Sequence, residues 1–166
     1  TLVVARMLTF HVPDDDQLLA ALGTVTLRHE HLNHILKMTI KSLTNLTPQE
    51  AIDATAYNGS RQLRDRIRKL ARRRLGEEEP FLKLSALITR AERLSNERNR
   101  LTHGLWAKEL DGEAGLLDAP GDLQPLPSLD DLKILAANLA SLTAEINTAR
   151  LEGFLKRALE ESQDAV

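Results

Sequence analysis

Arg98, Asn99 and His103 are the residues of this chain whose types and spacing best fit chemistry. They lie in the run Arg98-Asn99-Arg100-Leu101-Thr102-His103-Gly104. On a helix, residues four apart share a face, which puts Asn99 with His103. Arg98, five before His103, lies about 140° away on an ideal helix, but its long side chain can still converge on the imidazole. Histidine accepts and releases protons near neutral pH. Arginine is a fixed cation whose donors fit phosphate, and asparagine can orient either. RNA carries its own nucleophile, the 2′-hydroxyl, so its cleavage needs proton transfer and charge stabilisation at phosphorus, with no metal in principle. The same three residues at a helix end can instead cap carbonyls and complement the helix dipole.

A second candidate is the basic stretch 61–74, in which eight Lys/Arg against one Asp give a net +7. The whole chain is −2, so the remainder is −9. Arg61, Arg64, Arg68 and Arg72 line one side of the expected helix and could bind RNA phosphates. The alternative is a solvated face, partly neutralised by Glu77, Glu78 and Glu79. No aromatic interleaves the patch, so base stacking is not indicated. A third candidate, His29-Glu30-His31-Leu32-Asn33-His34, invites a metal reading. It lacks the His-Glu-x-x-His spacing and a fourth ligand, so no metal and no cofactor is expected.

The elements that must carry these residues are helical. Leu, Ala, Glu and Arg dominate, a helix-forming composition. Asp14, Asp15 and Asp16 can cap a helix from about 17 to 43. Thr47-Pro48-Gln49-Glu50 forms a capping box with Pro at the first helical position, opening a short helix expected to stop in a left-handed turn at Asn58-Gly59. Further helices are expected at 60–75, ending at Gly76, and from Pro80 to His103, ending at Gly104. Ser128-x-x-Asp131 resembles another capping box and opens a last helix expected to run from 129 to 159. Between them, 104–127 holds four of the eight glycines and three of the six prolines. Asp111-Gly112 reads there as a hairpin turn between 105–110 and 113–117. Trp106 is expected to anchor this excursion.

The 166 residues suit one domain, 1–166. The fold class expected is all-α, an antiparallel helical bundle with a short irregular or hairpin excursion at about 104–127. Cysteine is absent, which excludes disulfide scaffolds, thiol nucleophiles and Cys-rich zinc sites. No apolar run reaches the ~18 residues of a membrane helix. Leu2 to Phe10 is broken by Arg6 and lacks a following small-residue cleavage site, so no signal peptide is read there. No membrane partner and a cytoplasmic location are therefore the expectation.

Arg98-Asn-x-x-x-His103, late in a helical chain of this size, resembles the motif of HEPN domains. That family's nucleolytic members carry Arg, usually a polar residue, and then His, with four to six residues between Arg and His; here there are four. Gly104-Leu105-Trp106 and the Asp111-Gly112 turn resemble a bacterial HEPN-like subgroup with an insertion after the motif helix. The resemblance implies a homodimer in which two motifs meet in a shared cleft. It also implies metal-independent RNA cleavage leaving a 2′,3′-cyclic phosphate and a 5′-hydroxyl. Carried over, His103 is the acid/base, Arg98 stabilises the phosphate and Asn99 orients them. The implied setting is a toxin or defence effector, with an antitoxin or other regulatory protein as a further partner. Toxin members paired with a nucleotidyltransferase antitoxin have Tyr two residues after the His; here Leu105 stands there and the single tyrosine is Tyr57. The family also has non-catalytic members, so a dimeric module binding RNA, nucleotide or protein is the competing expectation.

Overall fold

The computed structural model describes residues 7–118 and 121–164. The helices are α1 (Asp16–Thr44), α2 (Pro48–Ala54), α3 (Ser60–Leu75), α4 (Glu79–His103), α5 (Leu129–Leu151) and α6 (Phe154–Asp164). The strands are β1 (Leu8–Phe10), β2 (Leu105–Glu109), β3 (Ala114–Leu117) and β4 (Leu123–Pro125).

Local chemistry explains the helix starts. Asp15 caps α1 by accepting from the Leu18 amide at 3.0 Å. Thr47 and Glu50 form a reciprocal capping box, with the Glu50 amide donating to Thr47 Oγ1 at 3.2 Å and the Thr47 amide to Glu50 Oε2 at 2.8 Å. Ser128 and Asp131 do the same for α5, both bonds being 3.0 Å. At the far end of α3, Gly76 adopts the left-handed φ of 67° that glycine tolerates best.

α1 is the central element, packing on α5, α3, α2 and α4. Its inner stripe of Val25, Leu32, Leu36 and Ile40 meets Leu63 and Ile67 of α3, Ile88 and Leu94 of α4, and Leu139 and Leu142 of α5 in one apolar core. Each such fully buried side chain contributes roughly 1.5–3 kcal/mol of transfer free energy.

The chain is mostly helical, as expected, but the strictly all-α class is corrected: the expected excursion is part of a four-stranded antiparallel sheet in the order β1-β2-β3-β4. Its β2–β3 hairpin turns at Asp111-Gly112 as expected, with Trp106 opposite Leu116. The addition is β1, in the N-terminal stretch, which pairs Leu8 with Glu109 and Phe10 with Ala107. This pairing joins segments far apart in sequence, and no local signal announces it.

Two helix ends also differ. The short helix stops at Ala54, where the Thr55 hydroxyl donates to the Ala51 carbonyl at 2.6 Å. Gly59 is extended rather than left-handed and caps α3. The expected helix 129–159 breaks at Glu152-Gly153 into α5 and α6. A Cβ at Gly153 would lie 2.8 Å from the Ala149 Cα, so the turn needs glycine. Leu155 and Leu159 of α6 then rejoin the core. Among the described residues, no helix is long and apolar enough to cross a membrane.

Candidate functional site

Three elements enclose a polar cleft of about 640 Å³: α1, the N-terminal turns of α3, and the C-terminal half of α4. α1 supplies His29, Glu30, Asn33 and Lys37; α3 supplies Ser60, Arg61 and Arg64; α4 supplies Arg98, Asn99 and His103. All three motif residues therefore line one cavity, despite the angle between Arg98 and His103 on the helix.

Arg98 and Asn99 are half-buried and His103 is exposed. Arg98 Nη1 donates to Asn99 Oδ1 at 3.0 Å, which aims the guanidinium along its own helix. Its Nε is shut from solvent without a hydrogen-bond partner. His103 is the last residue of α4, at the end where the helix dipole is negative. The next residue, Gly104, sits where a Cβ would meet the Arg100 carbonyl oxygen at 2.5 Å and Leu116 Cδ1 at 2.8 Å. The Trp106 indole N–H donates to the Leu101 carbonyl at 2.8 Å and ties β2 to the end of α4. The anchoring role read for Trp106 is what the structure contains.

The basic side of α3 divides. Arg61 and Arg64 line the cleft. Arg68 instead pairs with Glu92 at 3.0 Å and with Asp65 at 3.8 Å. Its hydrogen bond and charge hold the Glu92 carboxyl below the usual carboxylate range. Arg72 pairs with Glu77 at 3.0 Å and lies over the Phe81 ring, 5.3 Å from its centroid. Neither Arg68 nor Arg72 is among the residues lining the cleft. Arg64 is not on a solvated face: it is buried, with Nε and Nη1 lacking partners. Burial pulls its guanidinium below the ordinary value, with Glu92 opposing.

The histidine cluster divides as well. His31 and His34 are exposed, whereas His29 is only 1% exposed. Its Nε2 lies 3.0 Å from Ser95 Oγ and 3.5 Å from Ser60 Oγ. Ser60 donates its own proton to Asn33 Oδ1 at 2.8 Å, so it can only accept from His29, which favours the Nε2–H tautomer. Burial, then the nearby charges of Arg98 and Arg64, lower the His29 pKa to about 4. The imidazole is therefore neutral at pH 7, and its 3.9 Å approach to Glu30 is not an ion pair there. Among the described residues, no group of three His, Asp or Glu side chains is placed to hold a metal ion.

Ser60, Ser95 and the buried state of His29 escaped the sequence reading, although a signal exists. His29 falls in phase with Val25, Leu32 and Leu36, and Ser95 with Leu84, Ile88 and Ala91, all of them buried. Polar residues inside an apolar stripe need partners, and these two found each other.

No family model matches the chain, and comparison with curated proteins and with solved structures gives no match.

Proposed function

We propose that this protein is a metal-independent endoribonuclease of the HEPN type, acting as a homodimer. The observation that carries this reading is the cleft that collects Arg98, Asn99 and His103 together with two further arginines, Arg61 and Arg64. In the proposed reaction His103 takes the proton of a 2′-hydroxyl. The 2′ oxygen bonds to phosphorus, and the bond from phosphorus to the 5′ oxygen breaks. The departing 5′ oxygen takes a proton from the imidazolium of a second copy's motif. The products are a 2′,3′-cyclic phosphate and a 5′-hydroxyl. Arg98 offsets the charge that grows on the phosphoryl oxygens. A general acid/base of this kind is worth about 10²–10⁴ in rate.

The second reading, a non-catalytic module binding RNA, rests on a different feature. His103 makes no hydrogen bond to a described residue that would orient its ring. Such a site can bind phosphate without turning it over.

One experiment separates the two. The protein and His103→Ala are incubated with mixed RNA in excess EDTA, and the product ends are analysed. The nuclease reading expects chelator-resistant cleavage with cyclic-phosphate ends, reduced about 100-fold or more in the variant while its circular dichroism is unchanged. No cleavage, or equal cleavage by His103→Ala, overturns it in favour of the binding module.

A further inference from the structure

We propose that buried Arg64 is a binding cation of the cleft and takes a phosphodiester of the RNA strand, in the same cavity that holds the Arg98–His103 motif. This rests on the reading of RNA as the ligand.

Arg64 is 5% exposed and lines the cleft, yet its Nε and Nη1 have no hydrogen-bond partner. A guanidinium withdrawn from water is costly unless its donors find acceptors. The carboxylates within electrostatic reach are engaged elsewhere: Glu92 by Arg68 at 3.0 Å, and Asp65 by Arg61 at 4.0 Å and Arg68 at 3.8 Å. Arg98 shares this in part: its Nε is buried and unpartnered, while its Nη1 donates to Asn99. The two guanidiniums cannot satisfy each other, since arginine only donates. His29, which feels both charges, is neutral and adds no anion. Around them the cleft lining carries Lys37 and Arg61 as further cations against the single carboxylate of Glu30. What such a site lacks is a compact anion rich in acceptors, and the planar fork of arginine matches the non-bridging oxygens of a phosphodiester.

The test is a titration of the full chain with inorganic phosphate and, separately, with a 2′-O-methyl RNA tetramer, which has no free 2′-hydroxyl and so cannot be cut by the proposed route. The Arg64 Nε–H resonance is followed by NMR, and tetramer affinity is measured for the wild type, Arg64→Met and Arg73→Met. Arg73 is an exposed arginine on the same helix and controls for net charge. The expected result is a shift of the Arg64 resonance, with tetramer affinity at least tenfold weaker in Arg64→Met and within twofold of wild type in Arg73→Met. A shift with both probes assigns a site for phosphate as such; a shift with the tetramer alone assigns it to phosphates within a strand. An unmoved Arg64 resonance at saturation, or a folded Arg64→Met that binds as the wild type does, overturns this role of Arg64. If Arg64→Met does not fold, the wild-type resonance decides alone. The nuclease reading fails separately: RNA left uncut with the Arg64 shift intact leaves a phosphate-binding site on a non-catalytic module.

Discussion

His29 shows how a residue's chemistry is decided by what surrounds it. Its pKa falls from 6.5 to about 4 because the imidazolium would be buried beside Arg98 and Arg64. Between those two values the unfolded chain binds a proton that the folded chain refuses. Stability contributed by this group is therefore full above pH 6.5, falls as the pH drops through the window, and levels off below about 4. The full shift corresponds to on the order of 3 kcal/mol. Urea denaturation between pH 7 and 4 should show this slope in the wild type and a reduced one in His29→Gln; equal slopes would place the acid sensitivity in other groups. At this scale the sequence was half readable. The spacing of Arg98, Asn99 and His103 singled them out, and the structure gathers them. The three- and four-residue spacing of Arg61, Arg64, Arg68 and Arg72 made them look equivalent, while the structure buries Arg64 and pairs Arg68 and Arg72 with carboxylates. Helical phase cannot tell which side of α3 its neighbours will cover.

Among the elements, the junction between α4 and β2 matters most to the motif, because it fixes the turn that ends in His103. Gly104 has extended backbone angles any residue can adopt, so its requirement is space, not conformation. Adding a methyl there drives it into the Arg100 carbonyl and Leu116, and overpacking of this kind costs about 1–3 kcal/mol. Gly104→Ala should lower the urea midpoint accordingly and, under the nuclease reading, reduce cleavage beyond what stability explains, by displacing the last turn of α4. An unchanged midpoint would mean that Leu116 and the turn relax freely. Helix starts were legible because a cap is a matter of three or four adjacent residues, as at Thr47 and Ser128. The break at Gly153 was not, because Leu155 and Leu159 continue an apolar spacing that a single helix would also show.

For the whole molecule, the least legible feature was the pairing of β1 at the edge of the sheet, since Leu8 meets Glu109 across most of the chain and no local pattern encodes that contact. That strand brings an apolar face beside the motif. Phe10, 89% exposed, lines with Val12, Leu19 and Leu105 a groove of about 550 Å³ whose other walls include Leu101, Thr102 and Trp106. The homodimer proposed above predicts contact through this face, which adjoins the segment carrying His103. Phe10→Asp is expected to shift the protein toward the monomer in sedimentation velocity and to lower cleavage in parallel. A wild-type monomer at all concentrations, or a Phe10→Asp dimer as tight as the wild type, would remove this face from the assembly.

Trp106 has one more consequence. It is the single tryptophan in the chain, and its indole N–H is held by the carbonyl of Leu101, two residues before His103. The protein's tryptophan fluorescence therefore comes from the junction between the motif helix and the sheet. Emission colour and quenching report on that junction with no label attached, so occupancy of the apolar groove beside Phe10 and loosening of the last turn of the motif helix can be followed optically in the unmodified protein.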